Sequence, residues 1–130
     1  PANAQWGRAE LAPYGAGAGM RGIPGDCYSP SRFAKTAFLN ANYPTKDGTV
    51  GNIARMFHTL GNASMVEGAA AMADGQFEKT IYTGCFEAST GMYYYNTYDD
   101  PTIYCVSLAD ADGADGLVTP EPTRFDPSSC

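Results

Sequence analysis

The segment Ser29-Pro30-Ser31-Arg32-Phe33 opens a helical pattern, and Arg32 is the residue whose type suits its place least. A cation in the first turn opposes the helix dipole, at a cost of about 0.3–1 kcal/mol at an exposed site. Two readings stand side by side. Either a carboxylate such as Asp26 neutralises the guanidinium, or the cation is kept there for a site that uses its planar donor fork. The other reactive side chains form no recognisable set. Cys27, Cys85, Cys105 and Cys130 are spaced by 58, 20 and 25 positions, without a C-x-x-C pair, and His58 is the single histidine. Zinc-ribbon and thioredoxin-like arrangements fail on that spacing, and the cysteines read as reduced thiols. His58 lies beside Phe57 in a second helical pattern with no companion ligand, so it reads as structural.

Several motifs match in letters only. Gly17-Ala18-Gly19-Met20-Arg21-Gly22 fits G-x-G-x-x-G, but it follows Ala12-Pro13-Tyr14 and runs into Ile23-Pro24-Gly25. A pyrophosphate cradle needs a strand before it and a helix after it. Asp110-Ala111-Asp112-Gly113-Ala114-Asp115 resembles the start of a calcium loop, yet Ala114, Asp115 and Glu121 fall at positions five, six and twelve, and only the last fits. Neither a metal nor a cofactor is implied. Asn62-Ala63-Ser64 is a glycosylation sequon in form, usable only on a secreted chain. Tyr93-Tyr94-Tyr95 and Tyr98 read as sheet packing with hydroxyls reaching water.

The elements that position these residues follow from period and punctuation. Residues 1–28 hold nine Gly and Pro positions and read as a connector, ending in a Pro24-Gly25 turn. Ser29 as N-cap, Pro30, and Phe33, Ala34, Ala37, Phe38 and Ala41 on one face predict a helix over 30–42, stopped by Tyr43-Pro44. Val50, Ile53, Ala54, Phe57 and Leu60 predict a second helix, closed by Gly61-Asn62, so that 29–62 is a helical pair. The period then becomes two. Residues 77–86, 92–98 and 102–108, rich in Tyr, Thr, Ile, Val and Phe, predict an antiparallel meander across 77–108. The helices can cover one apolar face of it, but not all of Tyr82, Tyr94, Ile103 and their neighbours. Residues 110–130 read as an exposed acidic tail. The fold class is α+β.

At 130 residues the chain is one domain's length, and 8 basic against 14 acidic residues give a net charge of −6. The scattered basic residues argue against a nucleic-acid groove or an anionic membrane surface. No apolar run approaches the roughly 20 residues of a membrane span. The opening Pro1-Ala2-Asn3-Ala4-Gln5-Trp6 has neither the basic nor the apolar region of a signal peptide. The chain reads as intracellular, and a start at Pro1 leads us to expect a preceding segment.

Gly22-Ile23-Pro24-Gly25-Asp26, Ser31-Arg32-Phe33, Ala37-Phe38-Leu39, Met56-Phe57-His58-Thr59-Leu60, Thr83-Gly84-Cys85 and Gly91-Met92-Tyr93-Tyr94-Tyr95-Asn96-Thr97-Tyr98 form one ordered series. It resembles the choloylglycine hydrolase family, the conjugated bile salt hydrolases and penicillin V acylases, from about Leu11 to about Gly116, and corresponds to the C-terminal part of a family member. The resemblance implies an N-terminal nucleophile hydrolase, an αββα sandwich of two antiparallel sheets between helical layers. It implies a cysteine nucleophile whose own α-amine accepts the proton, and a catalytic role for Arg32. The nucleophile, with its Asp and Asn partners, would belong to an earlier portion or a companion chain. The resemblance further implies a glycine- or taurine-conjugated bile acid as substrate, a homo-oligomer when complete, and a bacterial cytoplasmic location. Cys27, five positions before Arg32, is read as a bystander because no α-amine accompanies it.

Three alternatives remain distinct from bile salt hydrolysis. One is the penicillin V branch of the same family. The second is a non-enzymatic truncated domain that binds through its exposed sheet. The third is catalysis by the Pro1 amine as in tautomerases, disfavoured because no strand pattern follows it.

Overall fold

A computed structural model of the chain describes residues 5–6, 9–10, 19–111 and 120–129. Pro1, Gly17, Ala18, Asp112 to Asp115 and Cys130, which entered the motif readings, lie outside the described residues. The described residues group into two compact units, one holding helix α1 with residues 59–64, the other holding residues 46–58 and a four-stranded sheet.

In the first unit, β1 (Gln5–Trp6) and β2 (Ala9–Glu10) make a two-residue antiparallel pair inside the segment expected to be connector. Helix α1 runs Ser29–Asn42. It ends because Tyr43 precedes Pro44, whose ring disfavours helical backbone at the residue before it, and Tyr43 is extended at φ −69°, ψ 132°.

Helix α2 (Thr49–Gly61), of which residues 49–58 belong to the second unit, begins after Gly48, whose φ of +79° is a left-handed conformation natural to glycine. Its Ile53 and Phe57, four positions apart, turn onto the sheet formed by β3 (Tyr82–Glu87), β4 (Met92–Thr97), β5 (Tyr104–Ser107) and β6 (Thr123–Arg124), in that order and all antiparallel. The register sets Cys85 opposite Tyr94 and Tyr94 opposite Cys105. These three residues and Ile53 are the core, with Phe57, Met92, Ile103 and Phe125 packed around them. Burying Ile53, 3% exposed, contributes about 1.5–3 kcal/mol.

The structure revises two local expectations. The first strand starts at Tyr82 rather than 77, because Thr80 N–H donates to the Met65 carbonyl and Thr80 Oγ1 accepts Met65 N–H, tying that stretch to the preceding loop. Phe77 forms a single bridge with Ala71. The acidic tail contributes β6, with Thr123 paired to Cys105 and Phe125 edge-on to Tyr94 at 5.3 Å. Flanking prolines and acidic residues conceal this strand in the sequence. The pleat places the named meander residues on two faces. Tyr94 and Ile103 lie on the side that α2 covers, whereas Tyr82, 62% exposed, lies on the other.

That second face is aromatic. Tyr93 and Tyr95 stack at 6.1 Å, Tyr95 and Tyr104 lie 5.9 Å apart, and Phe86 beside them is 52% exposed. Gly84 makes the arrangement possible, since a Cβ there would fall on the hydroxyl and ring of Tyr93. Glu87 closes the opposite side: it accepts Thr49 Oγ1 at 3.0 Å, Thr90 Oγ1 at 2.8 Å and Tyr94 OH at 3.2 Å. The hydroxyls of Thr90, then Thr49 and Tyr94, hold its carboxyl below the ordinary glutamate range against the opposing effect of burial.

Two outcomes are expected from this packing. Gly84→Ala should destabilise the sheet by about 1–3 kcal/mol through overpacking. In a Tyr93→Ala background the same change should cost much less, and equal shifts of the denaturation midpoint in both backgrounds would disprove the contact. For Glu87, a depressed folded-state pKa adds stability that is complete above the ordinary value of 4.5 and disappears as pH falls through the folded-state value. The stability gap between wild type and Glu87→Gln should therefore be widest near neutrality and narrow on acidification, and a gap independent of pH would refute the assignment.

Candidate active site

Helix α1 positions Arg32. The N-cap is Tyr28, extended at φ −74°, ψ 156°, one residue earlier than the expected Ser29. The displacement has a local cause. Asp26 Oδ1 accepts the Tyr28 N–H at 3.0 Å and Oδ2 accepts the Ser31 hydroxyl at 2.7 Å, so the aspartate two residues upstream braces the turn into the helix, whose N-cap makes no side-chain cap hydrogen bond. Ser29 Oγ is left to accept Arg32 Nη2 at 3.2 Å. Arg32 N–H donates to the Tyr28 carbonyl at 2.9 Å, the first helical hydrogen bond, and Lys35 Nζ donates to the Asp26 carbonyl at 3.2 Å. Asp26 is held below the ordinary carboxylate range, first by the Ser31 hydroxyl and then by the Tyr28 N–H.

These contacts do not make Asp26 the counter-ion of Arg32. Both Asp26 oxygens serve Ser31 and Tyr28, α1 has no acidic residue in its first turn, and among the described residues no carboxylate pairs with Arg32. Its only described side-chain partner is a neutral hydroxyl. The half-buried guanidinium, flanked by exposed Tyr28 and Phe33, retains the capacity to stabilise a thiolate or orient a carboxylate.

The remaining candidates have other surroundings. Cys27 is a half-buried free thiol, Cys85 and Cys105 are buried in the core, and burial followed by the charge of Glu87 pushes the Cys85 thiol up, away from nucleophilic character. His58 is exposed on α2. No cluster of metal-ligating side chains occurs among the described residues, and no described helix is long and apolar enough to cross a membrane. A cleft of about 590 Å³ is lined by Asp47, Thr49, Val50, Glu87, Thr90 and Tyr94. Its Glu87 carboxylate is already committed to three hydroxyls and held below the ordinary glutamate range, which suits a structural tie rather than an acid or base poised near neutrality. Sequence reasoning singled out Arg32 but weighed Asp26 only as a counter-ion. The available signal was an aspartate two residues before the N-cap and five before a serine.

Residues 1–118 match the family model of linear amide C–N hydrolases, choloylglycine hydrolase family. A bile salt hydrolase/transferase of Bifidobacterium longum subsp. longum is 52% identical over 107 residues, covering 82% of this chain and 34% of that protein. A conjugated bile acid hydrolase of Lactobacillus gasseri is 40% identical over 115 residues, covering 88% and 36% respectively. The crystal structure of a mutant conjugated bile acid hydrolase from Clostridium perfringens matches with a TM-score of 0.63 at 29% identity, covering 94% of this chain and 36% of that one. The chain thus spans about a third of the length of these relatives. Its two helices and antiparallel sheet are part of the N-terminal nucleophile hydrolase fold, and the chain belongs to the choloylglycine hydrolase family of linear amide C–N hydrolases.

Proposed function

We propose that the complete protein hydrolyses the amide bond of glycine- or taurine-conjugated bile acids, and that residues 1–130 furnish a C-terminal portion of the enzyme together with Arg32. The 52% identity to a bile salt hydrolase/transferase carries this reading. The attacking group would be an N-terminal cysteine thiol from the rest of the protein, its own α-amine taking the thiol proton. The thiolate adds to the amide carbonyl carbon, and the C–N bond breaks as the amine leaves with that proton. Water then cleaves the resulting thioester, regenerating the thiol. Arg32 would stabilise the thiolate and hold a carboxylate of the same cluster, supplying the opposite charge that α1 lacks locally. The bacterial cytoplasm is the proposed location and a homo-oligomer the proposed assembly.

The aromatic sheet face fits the same proposal. Tyr82, Phe86, Tyr93, Tyr95 and Tyr104 would pack against the second sheet of the sandwich, built by the remainder of the protein. A non-enzymatic free-standing domain is disfavoured by the small core, in which Ile53, Met65, Cys85, Tyr94 and Cys105 are the buried apolar residues among those described.

In the complete protein, Arg32→Ala should lower kcat for a glycine-conjugated bile acid at least on the order of a hundredfold, about 2.7 kcal/mol, with little change in melting temperature. Arg32→Lys should restore little, because one ammonium does not reproduce a planar fork. Unfolding by Arg32→Ala with turnover per folded molecule intact would make the arginine structural. Residues 1–130 alone should show no hydrolysis of conjugated bile acids or penicillin V. Turnover by that polypeptide, abolished by Cys27→Ser, would identify Cys27 as the nucleophile instead.

A further inference from the structure

We infer that Asp26 is a positioning residue for Arg32, its carboxylate bracing the turn that leads into it so that the guanidinium is presented in one orientation. The inference rests on the catalytic role proposed for Arg32. Asp26 Oδ1 holds the N–H of Tyr28, whose carbonyl accepts the Arg32 amide at 2.9 Å, and Oδ2 holds the hydroxyl of Ser31, the residue immediately before Arg32. Ser31 is 7% exposed, so the donor end of this 2.7 Å bond is buried while the Asp26 carboxylate faces solvent. The Asp26 carbonyl accepts Lys35 Nζ, one helical turn beyond Arg32. One aspartate therefore engages three residues of the Tyr28 to Lys35 span without contacting the guanidinium, which rests instead on Ser29 Oγ. Placed in the helix itself, a carboxylate could neutralise the cation. Two residues before the N-cap it organises the turn and leaves the charge available.

The test uses the complete protein and a glycine-conjugated bile acid. Asp26→Ala and Ser31→Ala should each lower kcat roughly tenfold to a hundredfold with KM little changed, the scale set by misplacing a group by about an ångström. Asp26→Asn should recover most of the loss, because its amide oxygen can accept the Tyr28 N–H while its NH2 donates to Ser31 Oγ. The deciding arm is an Arg32→Ala background, where Asp26→Ala should cause no further loss, since nothing remains to position. If Asp26→Ala fails to fold, Ser31→Ala carries the same comparison. Unchanged kcat in Asp26→Ala and Ser31→Ala beside a crippled Arg32→Ala, or equal losses with and without Arg32, would overturn the inference and leave the role of Arg32 intact. An Arg32→Ala enzyme of normal kcat would instead remove the catalytic reading and the positioning role together.

Discussion

The pairing of Cys85, Tyr94 and Cys105 across three strands is the constraint on which the larger unit depends. Side chains alternate across a sheet, so a slip of one residue between β3 and β4 would exchange the covered face for the aromatic one. The tyrosine run Tyr93-Tyr94-Tyr95 makes such a slip plausible on hydrophobicity alone, since a ring would still point each way. In the register observed, the Tyr94 hydroxyl reaches Glu87, where Thr49 from α2 and Thr90 from the turn also converge. The carboxylate thus ties the start of α2 to the end of β3 in one network. Its ionisation follows from the same three donors.

Much of this architecture was legible because local and global preferences agree. In α2 the spacing of Ile53 and Phe57 is that of a helix with one covered face, and both residues reach the core. The proline after Tyr43 ends α1 for a reason contained in the dipeptide. The expectations that failed depend on partners distant in sequence. Thr80 is extended but bonds to Met65, 15 positions away, so β-propensity alone placed the strand start too early. Thr123 joins the sheet because the edge of β5 is open to it, which its own neighbours do not announce. At the site, Arg32 stood out because it violates a helix rule, whereas Asp26 obeys the rules for a turn and so drew less notice.

The smaller and larger units carry complementary deficits. At α1 the deficit is charge: a cation in the first turn meets the positive end of the helix dipole, and its described contact is a hydroxyl. Asp26 offsets the dipole but spends both oxygens on the turn. On the sheet the deficit is burial, with Tyr82 and Phe86 more than half exposed on a face of stacked tyrosines. Neither is repaired by adjusting side chains among the described residues. A rotamer change at Arg32 brings no carboxylate into its first turn, and a rotation of Phe86 covers no more of its own sheet.

Both deficits have the character of a surface shaped for something else to complete. An exposed aromatic face on an isolated domain invites association, and natural monomers keep such patches small. A guanidinium with no ionic partner among the described residues follows a turn that is itself well bonded. In the proposed complete enzyme the order of these effects matters. The sheet face would contribute burial energy on joining the remaining two-thirds of the protein, and that energy offsets the cost of bringing an anionic cluster and a thiolate out of water beside Arg32. In the proposed complete enzyme, a site that needs desolvated charges would be served by a fold whose exposed aromatic sheet face is buried in the same assembly step.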